Sequence, residues 1–143
     1  MPPYLGELMK HYCQYHKIHE HGRPTSTQGS FLAYTDKKVK DETYLGQVVW
    51  LVSGERQGGK TAYLLESAFI VDSIERLPDN RAILRGSDGY MPLRPTPARF
   101  ATWLRTLQER TRRFQNGLSA IPAELIPEMA SALGWKKFQA NEA

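Results

Sequence analysis

The residues with the most explicit chemical potential are Gly54-Glu55-Arg56-Gln57-Gly58-Gly59-Lys60-Thr61. They match the phosphate-loop pattern G-x-x-x-x-G-K-[ST] directly after a hydrophobic strand. In such a loop backbone amides would wrap phosphate oxygens, Lys60 would reach the outer phosphates, and Thr61 would hold magnesium at a helix start. Three features of the sequence oppose this. Phe, Ile and Val follow Thr61 in quick succession without a polar helical face. A doubly wound sheet would need further strands with crossover helices, and only one convincing strand follows. The Val71-Asp72 pair that could organise a metal falls inside the segment required as the loop's own helix. A glycine-rich hairpin turn flanked by charges is the preferred reading. A small nucleotide-binding protein using Lys60 and Thr61 is the alternative.

Cys13, His16 and His19 are spaced three apart, with His11 and His21 nearby. Structural zinc requires four ligands, usually as two separated pairs, and this chain has one cysteine and no second cluster. Surface or strand histidines are the expectation, with no metal and no cofactor. A nucleophilic Cys13–His16 pair lacks a nameable orienting group or oxyanion donor. With no complete catalytic constellation, a binding module is expected rather than an enzyme.

Aromatic and basic residues offer another chemistry. Trp50 lies in the strongest strand and Trp103 on an apolar helical stripe, positions typical of core. Tyr15, Tyr34 and Tyr63 can join an aromatic pocket, and aromatic faces lined by cations suit stacking recognition of a flipped or single-stranded base. Between Arg94 and Arg113 there are six arginines and a single acid, Glu109; Lys37, Lys38 and Lys40 form a second cluster. The net charge of +4 is compatible with a phosphate-rich partner.

The elements that position these residues follow from the rest of the chain. At 143 residues, 41% hydrophobic and 24% charged, it has the balance of one globular domain, assigned to residues 1–143. Its longest apolar run, Val48–Val52, is far below the roughly 20 residues that span a bilayer. The N-terminal MPPYLGELMKHYC does not read as a secretory signal, and a lone cysteine fits a reducing cytoplasm.

Tyr12–His16 reads as a strand with Tyr12, Gln14 and His16 on one face and Cys13 and Tyr15 on the other; a helix over 5–15 competes with it. Residues 19–28 read as loop. Phe31 and Leu32 pack, and the lysines after them are exposed. Gln47–Ser53 is the clearest strand, central and buried. Thr61–Ile74 reads as a second strand with Tyr63, Leu65, Phe69 and Val71 on one face and Leu64, Ala68, Ile70 and Ile74 on the other. A bend is expected near Glu66 and Ser67. A third strand covers Arg81–Arg85, and Tyr90–Leu93 forms a short edge strand. Thr96-Pro97 starts a helix that buries Phe100, Trp103, Leu104 and Leu107. Phe114–Leu118 breaks it, and a last helix over about Ala123–Leu133 buries Leu125, Met129 and Leu133 before Gly134.

The ordered segments QYHK (Gln14–Lys17), TDKK (Thr35–Lys38), GQVVWLVSGE (Gly46–Glu55), YLLESAFIVDSIE (Tyr63–Glu75) and FQNGLSAI (Phe114–Ile121) resemble the N-terminal domain of bacterial proteins that carry an HNH nuclease. That domain is similar to the PUA-like group, including the EVE and YTH families. The resemblance spans roughly residues 11–121. It implies an α+β fold, a twisted, mostly antiparallel β-barrel or curved sheet with flanking helices. It also implies a module that binds DNA or RNA, including a modified base, as the reader of a restriction or defence system alongside a nuclease domain or subunit. The paired histidines and the Asn of an HNH nuclease have no counterpart here, so nuclease activity is not carried over, and the YTH aromatic cage cannot be matched residue by residue. On this reading Tyr15, His16, Tyr34, Thr35, Trp50, Phe114 and Asn116 form the ligand pocket. Lys37, Lys38, Arg105, Arg112 and Arg113 contact phosphates. A basic protein-interaction subunit is the remaining alternative.

Overall fold

In the computed structural model the described residues are 9–18, 22, 24, 26–35, 44–78, 81–98, 101–111 and 118–139. They are mostly β, with two short helices. The strands are β1 (His11–Lys17), β2 (Phe31–Thr35), β3 (Val48–Gln57), β4 (Lys60–Ile70), β5 (Ser73–Arg76), β6 (Ala82–Gly86), β7 (Gly89–Tyr90), β8 (Thr96–Pro97) and β9 (Ser119–Ala120). Helix α1 covers Thr102–Arg110 and α2 covers Ile126–Leu133. A 3-10 turn, Ala123–Leu125, leads into α2, and another, Lys136–Phe138, follows it. None of the described helices is long and apolar enough to cross a membrane.

The strands form two open sheets. The larger has the order β7-β4-β3-β1-β9, with β8 also on β4; the smaller has the order β2-β6-β5. The described strands do not close into the barrel that the resemblance allows, and the β1–β3 pair is parallel while every other pair is antiparallel. The central position expected for the Val-rich strand is observed: β3 lies between β1 and β4, and Val48–Val52 is buried throughout. With apolar cover on both faces, such a strand needs no polar alternation.

Two cores result. On one face of the large sheet, Trp50, Val52, Leu65 and Ala68 pack against Trp103, Leu107, Met129 and Leu133 of the helices, with Trp135 and Phe138 beyond α2. On the other face, Val49, Leu51, Phe69 and Val71 pack with Phe31, Ala33 and Leu84 of the small sheet. The stripes Trp103–Leu104–Leu107 and Leu125–Met129–Leu133 are buried as their helical spacing requires, and Gly134 ends α2 at φ 94°.

Four expectations are corrected. Thr96-Pro97 does not start a helix, because both residues pair with Leu64 and Leu65 of β4; α1 begins at Thr102. The strand expected over 61–74 is two strands. After Ile70 the chain leaves the large sheet, the Asp72 amide donates to the Arg85 carbonyl, and β5 joins β6. The edge strand at 90–93 is only Gly89–Tyr90. The simple alternation along β4 also fails, because Leu51 pairs with Ser67 and Val52 with Leu65, leaving Glu66 as the extra residue of a bulge. Past the bulge the faces exchange, so Tyr63 and Leu65 share the helix side with Ala68 and Ile70, while Phe69 and Val71 face the small sheet. The expected bend at Glu66-Ser67 is this bulge.

Candidate functional site

The phosphate-loop pattern resolves into a hairpin. Gln57 pairs with Lys60, and Gly58 and Gly59 between them have φ of 57° and 83°. Two successive positive φ values define a type I′ turn, which matches the twist of its strands and which glycine adopts without steric cost. Thr61 continues β4 in register with Arg56. There is no helix N-terminus behind Lys60 to receive phosphate, so the alternative nucleotide site built on Lys60 and Thr61 is set aside on geometry.

Strand β1 divides the remaining candidates between its two faces. Cys13 and Tyr15 point toward the helices; Tyr12, Gln14 and His16 point toward the small sheet, the alternation read from the sequence. Tyr15 and His16, expected in one pocket, are therefore on opposite faces of the sheet. The same separation holds Cys13 away from His16, and burial pushes the Cys13 thiol above its ordinary range, which removes thiolate character. Among the described residues no three His, Cys, Asp or Glu side chains are grouped so as to hold a metal ion.

Two expected pocket residues are structural. Trp50 is fully buried, and its Nε1 donates to His11 Nδ1 at 2.9 Å. His11 therefore carries its proton on Nε2, and burial lowers its pKa from 6.5 to about 4. Trp50 offers no face to a ligand. Thr35 is buried, with Oγ1 donating to the Ala82 carbonyl and accepting from the Ala82 amide. Tyr34 is exposed on the outer side of the small sheet, away from Tyr15 and His16. Arg105 is exposed on α1, 3.9 Å from Glu109. Phe114, Asn116, Lys37, Lys38, Arg112 and Arg113 lie outside the described residues.

The face turned to the small sheet holds a polar group that the sequence reading did not assemble. Gln14 of β1, Leu51 of β3 and Ser67 of β4 form one cross-strand row. Gln14 and Ser67 are buried, and neither Gln14 Oε1 nor Ser67 Oγ has a hydrogen-bond partner. Their Cα atoms are roughly 10 Å apart, two interstrand spacings. In the next row, Ser53 Oγ donates to Glu66 Oε2 at 2.5 Å, so the bulge turns the Glu66 carboxylate onto this face. His16, beside Ser53 in the register, donates from Nε2 to the Gly22 carbonyl at 2.6 Å. Tyr12, one row back, meets Tyr44 edge to face with centroids 4.8 Å apart. Pairing of β1 with β9 stops at Tyr12 and Cys13, so the half-buried His16 stands where the described sheet ends.

An unpartnered polar atom inside a fold costs about 1–3 kcal/mol, so two of them in one row are a standing destabilisation. Ser53, Glu66 and Ser67 interrupt otherwise apolar strands, VVWLVS and LLESAFIV, and that interruption was the available signal. What sequence spacing could not supply was the bulge, which alone brings Glu66 and Ser67 onto a common face with Gln14.

The opposite face, at the hairpin end, is different. The Tyr15 ring lies across Gly54: a Cβ on Gly54 would sit 1.7 Å from the Tyr15 hydroxyl and 3.1 Å from Thr61 Cγ2. Tyr63 lies beside Tyr15, with ring centroids 6.0 Å apart and planes inclined by 43°. Burial raises the Tyr15 pKa to about 12, with a further contribution from Tyr63, and the nearby Arg56 charge opposes the rise. Comparison with known proteins adds no family to this geometry: no family model, no curated protein and no solved structure matches the chain.

Proposed function

We propose that the chain is a nucleic-acid-binding module that reads a base through the polar row between its two sheets. Support comes first from the unpartnered pair Gln14 Oε1 and Ser67 Oγ. A buried carboxamide and hydroxyl supply both donors and acceptors, the complement of a base edge, and each would be satisfied on engagement. Ser53, Glu66 and His16 extend the same hydrogen-bonding surface, and Tyr12 with Tyr44 adds aromatic area for a ring. The net charge of +4 favours a polyanion. The resemblance to PUA-like readers points the same way and makes a modified base in DNA or RNA the specific candidate, in a defence or restriction setting.

The test is a binding panel of modified and unmodified DNA and RNA oligonucleotides at low salt, run on the wild type and on Ser67→Ala. Discrimination between oligonucleotides that falls about 10-fold in Ser67→Ala, at unchanged thermal stability, supports the reading. A wild type that binds no oligonucleotide overturns it.

A further inference from the structure

We propose that the nucleic acid bound by this chain is double-stranded DNA, and that the hairpin tip joining β3 to β4 enters its major groove, with Gln57 and Lys60 toward base edges and Arg56 toward phosphates. The inference rests on the reading above for the class of partner and on separate residues for the site. It gives a part to the GERQGGKT segment, which folds as a hairpin rather than a phosphate loop.

The hairpin outruns the sheet that carries it. The last β1 pair on β3 is Lys17↔Gly54, and the last β8 pair on β4 is Pro97↔Leu64. Strands β3 and β4 then pair with each other for further rows, Glu55↔Ala62, Arg56↔Thr61 and Gln57↔Lys60, and among the described strands no third one joins them. Residues 56–61 are exposed, and a Cβ on Gly58 or Gly59 would meet nothing within 4 Å. The tip is therefore an open two-stranded ribbon that ends in two residues without side chains.

Its dimensions suit a B-form groove. From Gly54 to Gln57 the ribbon extends roughly 10 Å, with its strands about 5 Å apart. The major groove of B-DNA is about 8.5 Å deep and about 12 Å wide and admits such a ribbon, whereas the A-form groove of duplex RNA is too deep and narrow for side chains to read. Gln57 and Lys60 form one cross-strand pair beside the bare turn, and Arg56 lies on the other face, one row back. At the groove floor the Gln57 carboxamide matches adenine N6 and N7, and the Lys60 ammonium matches guanine O6 and N7. Arg56 meets the wall, where phosphate contacts fix the register. Glu55 is half-buried in the row nearest the body, opposite Ala62, so the two cations hold the exposed end. Leu51, in the row of Gln14 and Ser67, is roughly 20 Å from Gln57 along β3. That span is about six base pairs, which places the ribbon on the duplex beside the base that is read.

The experiment is fluorescence anisotropy across a salt series with labelled probes: a DNA duplex, an RNA duplex of the same sequence, and one strand of the DNA. The wild type is expected to bind the DNA duplex about 10-fold more tightly than the RNA duplex. Gln57→Ala/Lys60→Ala is expected to weaken DNA-duplex binding about 10-fold and leave the single strand nearly unchanged. Arg56→Gln is expected to flatten the slope of log K against log salt on the DNA duplex by about 0.9. Lys60→Arg, which keeps a cation that pairs with guanine, is expected to bind as the wild type.

A wild type that binds the RNA duplex or the single strand as tightly as the DNA duplex overturns the groove site. So do Gln57→Ala/Lys60→Ala and Arg56→Gln variants that bind the DNA duplex as the wild type does; if Ser67→Ala still loses base discrimination, the polar row stands without the ribbon. If the hairpin variants lose duplex affinity while Ser67→Ala keeps full discrimination, the row fails and the groove site stands. A wild type that binds none of the probes overturns both.

Discussion

The two faces of the central sheet are built from the same three strands and obey opposite rules. On the helix side, Val48, Trp50, Val52, Leu65 and Ala68 meet α1 and α2 in an apolar core, in which Trp50 Nε1 donates to His11 Nδ1 and His11 Nε2 is left buried without a partner. On the other side, the apolar packing of Val49, Leu51, Phe69 and Phe31 gives way within one strand step to Gln14, Ser53, Glu66 and Ser67. The first face is predominantly apolar. The second gathers two unpartnered atoms, Gln14 Oε1 and Ser67 Oγ, in one cross-strand row, and such a cluster is expected where binding sets the residues.

Breaking the helix-side face should have the largest effect. Trp50→Ala removes one of the two fully buried tryptophans among the described residues and strands His11 Nδ1, and should lower unfolding free energy by about 3–5 kcal/mol in urea titrations. Acid attacks the same node. His11 is neutral in the fold with its pKa lowered to about 4, against 6.5 when unfolded. Its contribution is therefore fully present above pH 6.5 and is lost as pH falls from 6.5 towards 4. The loss should reach about 3 kcal/mol. His11→Gln, which keeps an acceptor for Trp50, should flatten stability against pH across that window.

The opposite response sharpens the contrast. Ser67→Ala and Gln14→Leu should leave the melting temperature unchanged or raise stability by about 1 kcal/mol each, because each removes a buried atom without a partner. A loss of more than about 2 kcal/mol would show that these groups stabilise the fold. Gly54→Ala should displace Tyr15 and bring its phenol titration back toward the ordinary value from about 12, measured by ultraviolet difference absorbance. The smallest effect belongs to Arg105→Ala. Its partner Glu109 is 3.9 Å away and both are highly exposed, so the change should stay within about 0.5 kcal/mol.

Much of the architecture was legible because short-range pattern determines it. The run of valines in β3, the period-two alternation of β1 and the helical stripes of α1 and α2 each state which face is buried. Thr96-Pro97 misled because a capping residue followed by proline also suits a strand edge, and only the pairing with Leu64 and Leu65 decides between them. The candidate site was less legible. Gln14, Ser53 and Ser67 are far apart in the chain, and their shared face depends on a parallel β1–β3 register and a bulge at Glu66. A one-residue offset reverses every face assignment beyond it, as it did for Tyr63 and Leu65. Trp50 shows the converse: its place in the strongest strand already suited core, and its complete burial decides against a ligand wall.

Base reading by the polar row, as proposed, can be separated from folding in one experiment. The most direct measurement is equilibrium binding of the Gln14→Leu/Ser67→Ala double variant to a panel of modified and unmodified oligonucleotides, alongside its urea unfolding curve. Stability equal to or above that of the wild type and a discrimination ratio that collapses toward one are expected. A double variant that folds equally well and discriminates as the wild type does would contradict it.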